Sequence, residues 1–194
     1  MKAATVTLHL GRKGSGKSYT AKREAERTFR PVTVWDPRRE WAGPGACDPP
    51  KMGRLIVRSM PAFKEAQGRT RGPLAPCVVF QLEPRELEPW CRWVLRAGNQ
   101  LVVVDEAQLV APPSYCPPCF RELVTTCRHV STDLLLCCQR PSTIHPDVRA
   151  QADTVRAWKM VEPLDLAWIR EFCGRDFAKT LPRLGNRRFS EFAA

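Results

Sequence analysis

The 194-residue chain contains no run of 18 or more apolar residues, so no membrane-crossing helix is expected. The first residues given pass straight into a strand-like segment, so no secretory leader is expected. No internal repeat and no domain-sized linker interrupts it, and a single domain over residues 1–194 is the expectation. Acidic side chains are scarce: 20 face 31 basic ones, for a net charge of +11. That deficit points to a polyanionic partner, most simply nucleic acid, against the plainer alternative of a basic soluble surface. The imbalance is concentrated. Residues 51–72 carry six basic side chains (Lys51, Arg54, Arg58, Lys64, Arg69, Arg71) against the single acid Glu65, and the tail from Arg170 carries six against three.

The sequence has one strongly diagnostic motif. GRKGSGKS at residues 11–18 follows the apolar run Thr5–Leu10 and precedes a helix-forming stretch from Tyr19 to Phe29. This is the Walker A pattern, a strand, a glycine-rich loop and a helix start whose backbone N–H groups converge on a polyphosphate. Nucleotide contacts are assigned to Gly11, Arg12, Lys13, Gly14, Ser15, Gly16, Lys17, Ser18 and the flanking Tyr19. Lys17 is expected to point into solvent until it meets the β- and γ-phosphates of ATP, and the Ser18 hydroxyl is expected to bind Mg²⁺.

Strand-like and helix-like segments alternate beyond the loop. Strands are expected at Val32–Trp35, Leu55–Val57, Cys77–Phe80, Leu101–Val104, Leu134–Cys138 and Thr154–Met160. Helices are expected at Pro84–Ala97, Phe120–His129 and Leu164–Phe172, with a basic loop insertion over about 51–75 and a small C-terminal extension over about 161–194. Alternation of this kind predicts an α/β fold with a mostly parallel sheet covered by helices on both faces. Trp90, Trp93, Trp158 and Trp168 fall on apolar faces and are assigned to the core.

LVVVDE at residues 101–106 is the Walker B candidate. Asp105 at the end of a buried strand would hold Mg²⁺, and Glu106 beside it would polarise an attacking water. The carboxylate pair favours an ATPase over a kinase that needs an acceptor. Gln139, at the tip of the next apolar strand, would touch the γ-phosphate or the lytic water, or else cap a loop. Cys116-Pro-Pro-Cys119 has the spacing of half a zinc site, which Cys127 and His129 would complete; no second C-x-x-C exists, and plain thiols in a proline-rich loop or a redox dithiol are the alternatives.

Taken together, Walker A, WDPRREW at 35–41, VVVDEAQ at 102–108, CRH at 127–129 and LLLCCQRPSTI at 134–144 resemble the FtsK/HerA superfamily of DNA-pumping ATPases. The nearest shape is the small genome-packaging ATPase of membrane-containing icosahedral viruses. The resemblance implies a RecA-like fold, ATP and Mg²⁺ as cofactors, and a homo-oligomeric ring, often a hexamer, around double-stranded DNA. A capsid vertex or inner-membrane protein would be a further partner, and the location would be host cytoplasm or virion. It also implies an arginine supplied in trans, matched best by Arg128, with Arg140 and Arg149 as rivals. In that setting the basic segment, through Arg54, Arg58, Arg69 and Arg71, is expected to line the DNA channel. The long terminal additions of the cell-division and repair translocases are not seen here. A plasmid-transfer or phage-assembly ATPase, and a nucleotide switch or small-molecule kinase using 51–72 as a lid, are the alternatives.

Overall fold

The β-branched and aliphatic runs pair into one twisted sheet. The computed structural model describes residues 4–41, 54–68 and 75–193. In chain order the elements are β1 (Val6–Leu10), α1 (Lys17–Arg27), β2 (Val32–Trp35), β3 (Arg54–Val57), α2 (Met60–Gly68), β4 (Cys77–Phe80), α3 (Leu87–Ala97), β5 (Leu101–Val104), α4 (Pro118–Thr126), β6 (Asp133–Cys138), α5 (Pro146–Arg149), β7 (Thr154–Trp158), α6 (Pro163–Cys173), α7 (Arg175–Thr180) and β8 (Phe189–Ala193). The sheet order is β3-β4-β2-β5-β6-β1-β7-β8. Each described pairing is parallel except β7 with β8.

Parallel strands under helices on both faces must be apolar on both sides. Side-chain alternation therefore feeds two cores. Val102 and Val104 of β5 and Leu134, Leu136 and Cys138 of β6 enter the larger one, with Trp90 and Val94 of α3 and Phe120 and Leu123 of α4. Val103, Leu135 and Cys137 enter the smaller one beneath α1, with Ala21, Ala25 and Trp41.

Two stretches differ from the sequence expectation. Within the segment expected as a basic loop, the strand expected at Leu55–Val57 is present as the edge strand β3, but the residues after it form the helix α2. Met60 and Phe63, one turn apart, are buried, and Phe63 meets Phe80 and Trp93 edge-on at 5.0 Å each. Met60–Gly68 (MPAFKEAQG) is itself made mostly of helix formers with Pro61 in the first turn, and burial of the Met60–Phe63 face fixes it as a helix. The C-terminal extension adds α7 and the antiparallel edge strand β8. β8 is held by the opposite charges of Arg156 and Glu191, which pair directly across the strands and form an ion pair.

At the carboxyl-terminal edge of the sheet, β1, β5 and β6 end side by side. Ligands of open α/β sheets bind at that edge. The amino-terminal edge is pinned by carboxylates: Asp133 accepts the Thr5 N–H at 2.7 Å and Asp153 accepts the Val6 N–H at 2.7 Å.

Candidate active site

β1 feeds the glycine-rich loop. Gly11 N–H still donates to the Cys138 carbonyl at 3.2 Å, so the loop starts in register with β6. A Cβ at Gly11 would stand 2.8 Å from both Ser15 Oγ and Trp158 Cβ, too close for any side chain. Gly16, at φ 108, takes the left-handed turn that hands the loop to α1. The loop geometry is thus fixed by its glycines. Ser18 opens the first turn of α1, and its hydroxyl lies 3.2 Å from Asp105 Oδ1 at the end of β5.

Lys17 does not point into solvent as its sequence context suggests. It is buried, and its ammonium donates to the Gly11 carbonyl and, at 3.2 Å, to that of Arg12. The ammonium thus satisfies two carbonyls of the loop, and the Ser15 N–H closes back on the Arg12 carbonyl at 3.2 Å.

Asp105 is buried among polar groups. Its Oδ2 accepts the Trp41 indole N–H at 2.9 Å, and its Oδ1 faces Ser18 and the Glu106 N–H at 3.2 Å. Burial pushes its carboxyl above the ordinary range; the Trp41 hydrogen bond opposes that shift, and the nearby charges of Glu106 and Asp36 add to it. A divalent cation fits this place: Ser18 and Asp105 offer hard oxygens, and the buried carboxylate has no cationic side chain in hydrogen-bond contact among the described residues. Among the described residues no three His, Cys, Asp or Glu side chains gather into a metal set, so water and phosphate would supply the other ligands.

Trp41 itself is placed by Asp36. That carboxylate, fully buried, accepts the Glu40 and Trp41 N–H groups and the Gln81 amide, each at 3.0 Å. The WDPRREW segment therefore folds back beneath Walker B. The sequence marked this segment only as a family feature.

Glu106 is a non-glycine residue at φ 53. Such backbone is uncommon and clusters at functional sites. The turn aims its carboxylate across to β6, where Oε2 accepts the Gln139 amide at 3.0 Å and that of Gln108. Adjacent strands β5 and β6 bring Gln139 and Glu106 together.

The arginines are dispersed. Arg128 lies in a 3₁₀ turn (Cys127–Val130) before β6, at the amino-terminal edge, and donates to the Gln151 carbonyl at 2.8 Å and to Asp153 at 2.7 Å. It is thus at the far end of β6 from Gln139. Arg140 follows Gln139 and pairs with Asp165 at 2.7 Å, whereas Arg149 donates to the Pro141 carbonyl and lies over Trp168. Arg58 is exposed at the β3 edge with Lys64 of α2; Arg69 and Arg71 lie outside the described residues, and of Arg54 only the backbone in β3 is described. Arg85 beside Arg58, and Arg92 and Arg96 beside Lys64, extend this basic region, which sequence clustering missed because they come from a different helix and the turn before it. β3 is five strand spacings from β1, about 24 Å, so its residues do not reach over the phosphate loop.

Cys116 and Cys119 sit at the start of α4. Cys119 lies beside Cys91 of α3, whose thiol hydrogen bond pulls the Cys119 thiol down to about 7, while Cys127 is buried in the core.

A phosphate loop, a carboxylate pair on the neighbouring strand but one and a polar amide between them, all on a parallel sheet, define a P-loop NTPase domain. The chain belongs to the zonular occludens toxin (Zot) family, whose profile matches residues 63–162, just over half of it. The matched span holds Asp105, Glu106 and Gln139 and leaves out the loop at 11–18. No curated protein matches the chain by sequence. Among solved structures, the genome packaging NTPase B204 of Sulfolobus turreted icosahedral virus 2 in complex with sulfate is 21% identical, with a TM-score of 0.79 over 100% of this chain and 92% of that one. Its complex with ATP-gammaS gives 20% identity and 0.76 over 100% and 93%. The pCW3 conjugation coupling protein TcpA is 13% identical, with a TM-score of 0.63 over 99% of this chain and 58% of that one. At these identities the likeness establishes the fold, in agreement with the α/β expectation.

Proposed function

We propose that this protein is an ATPase that moves double-stranded DNA as a ring of subunits, in the setting of viral genome packaging. The observation that carries the reading is the chain Ser18–Asp105–Glu106–Gln139 at one sheet edge: a cation place, then a carboxylate aimed by an amide on the adjacent strand. In this reading Lys17 exchanges the Gly11 and Arg12 carbonyls for the phosphates of ATP. Ser18 and Asp105 hold Mg²⁺, which neutralises charge on the phosphates when bound. Glu106 accepts the proton of the attacking water, and Gln139 keeps its carboxylate turned toward that water. Support for the packaging setting comes from the fold shared with B204 and from the net charge of +11. Arg58, with Arg54, Arg69 and Arg71 along the same segment, would grip DNA phosphates without reading bases. Arg128 would reach a neighbouring subunit after leaving Asp153. The fold likeness to TcpA supports a second reading, DNA transfer between cells, with the same chemistry.

The test is ATP hydrolysis with and without double-stranded DNA, alongside the mass of the assembly. Stimulation by DNA in an oligomeric sample is expected. Glu106→Gln should bind ATP and lose about 100-fold or more in turnover, the scale of general-base loss. Hydrolysis indifferent to DNA in a monomer would count against a motor and favour the switch or kinase alternative.

A further inference from the structure

The tail from α6 onward is not used by the nucleotide motifs, yet it returns to them. β8 pairs with β7, the strand on the side of β1 away from Walker B, and the turn entering β8 lies against the phosphate loop. Arg187, in left-handed backbone at φ 60, comes so close that a Cβ at Gly16 would stand 3.8 Å from the Arg187 Cβ and 3.9 Å from its Cα. Between the loop and this turn is a cleft of about 470 Å³ lined by Arg12, Lys13, Lys159 and Arg187 with Gly14, Ser15, Gly185 and Asn186. All four cations are exposed, and among the described residues none has a carboxylate partner.

Two buried polar atoms beside the loop also lack partners: Ser15 Oγ and the indole N–H of Trp158, a residue 1% exposed whose Nε1 is 3.5 Å from where a Gly16 Cβ would be. Trp158 is buried as the sequence suggested, but it packs at the loop and against Phe189 of the tail at 4.9 Å. Four cations without carboxylate partners line the cleft with Ser15, and the Trp158 indole N–H lies next to it at Gly16; such a set describes a place for an anion.

The topology says which anion. Asp105, Glu106 and Gln139, on β5 and β6, take the γ-phosphate end of a nucleotide lying across the loop. Its other end must then run toward β7 and β8. We infer that the turn 185–188 closes the nucleotide site within the same subunit, with Lys159 and Arg187 binding the α-phosphate end of the nucleotide. This rests on the nucleotide-binding reading above. It gives the tail's basic residues a role other than contact with DNA.

The experiment measures the affinity of the full chain for ADP and for ATP-gammaS in wild type, Lys17→Ala, Lys159→Ala, Arg187→Ala and the Lys159→Ala/Arg187→Ala double variant. Each substitution at Lys159 or Arg187 should weaken binding roughly three- to ten-fold, the scale of an exposed charge-assisted contact, and by the same factor for both nucleotides because both carry an α-phosphate. Arg187→Lys, which keeps the charge and tests whether the turn has simply shifted, should recover most of the loss. Double-stranded DNA affinity should not move. Unchanged nucleotide affinity, a loss confined to ATP-gammaS, or a loss of DNA affinity alone overturns the inference. If wild type binds neither nucleotide and Lys17→Ala looks the same, the nucleotide-binding reading itself has failed.

Discussion

Trp41→Phe should damage Walker B from beneath without touching a nucleotide residue. The indole N–H donates at 2.9 Å to Asp105 Oδ2, and the two residues are 1% and 2% exposed, so no water can take the donor's place. Phenylalanine removes the donor and part of the ring. An unsatisfied buried carboxylate oxygen costs about 1–3 kcal/mol, and the smaller ring leaves a void beneath α1 that adds about 1 kcal/mol. The contact of the Lys22 ammonium with the ring, 5.5 Å from its centre, weakens as well. A total of roughly 2–4 kcal/mol lowers the melting temperature by about 4–16 °C at ~2–4 °C per kcal/mol for a domain of this size. Stability alone would not separate a positioning role from a packing role. Asp105 held by only the Ser18 and Glu106 side of its carboxylate should also hold Mg²⁺ less well, so the Mg²⁺ concentration that half-saturates ATP-gammaS binding should rise several-fold. Calorimetry gives the first quantity, and a Mg²⁺ titration followed by a fluorescent nucleotide gives the second. A lower melting temperature with an unmoved Mg²⁺ midpoint would refute the positioning role and leave Trp41 as core. An unmoved melting temperature would refute the buried hydrogen bond itself.

The remaining predictions concern His9, Arg128 and the basic edge. His9 is fully buried in β1, and burial, helped by the charge of Arg156, lowers its pKa to about 3. The folded protein thus keeps it neutral where the unfolded chain protonates it below its ordinary 6.5, so its contribution is present above that value and is lost as pH falls from 6.5 toward 3, by up to about 1.4 kcal/mol per pH unit. His9→Gln, which still offers Arg156 an acceptor, should make the denaturant midpoint fall less steeply with acid; parallel curves would show that His9 does not titrate this way. Arg128→Ala should lower turnover of the assembly, and mixing it with Glu106→Gln subunits should restore some activity, since one interface then has both groups. No recovery in demonstrably mixed assemblies, together with a lower melting temperature, would assign Arg128 to its ion pair with Asp153. Neutralising Arg54, Arg58, Arg69 and Arg71 together should flatten the salt dependence of DNA binding by roughly 0.9 in log–log slope per lost contact while basal hydrolysis persists; a fall in ATP affinity with DNA binding intact would favour a lid.

The parts legible in the sequence are those where chemistry and chain direction coincide. Gly11 to Ser18, Asp105 with Glu106, and Gln139 each follow a strand whose apolar run announces it, and parallel strands deliver all their carboxyl ends to one edge. Their position at one edge of the sheet therefore follows from chain direction alone, without knowledge of any contact. Lys17 shows where that logic stops: spacing assigns it to the loop but does not say that it folds onto the Gly11 and Arg12 carbonyls. α2 was hidden because the residues around it are basic and rich in Gly and Pro, so its nine helix-forming residues, with Met60 and Phe63 buried, were read as part of a loop.

What the sequence could not supply came from segments that return to the site from elsewhere. Trp41 reaches Asp105 because Asp36 turns the segment after β2 back under the sheet, and nothing in the spacing of residues 35–41 encodes that turn. Arg187 reaches Gly16 because β8 reverses direction beside β7, and a five-residue strand in which no described residue is fully buried has no hydrophobic signature. The cross-strand pair Arg156–Glu191 was the available clue, but it is readable only once β7 has been identified as an edge needing a partner. The same geometry divides the basic residues. Those near β3 lie five strand spacings from the phosphate loop and those near β8 lie against it. Under the proposed function the two groups would therefore serve different polyanions, DNA at one edge of the sheet and the nucleotide near the other. The salt response of DNA binding should therefore respond to Arg58 and not to Arg187, and the affinity for ADP should respond to Arg187 and not to Arg58.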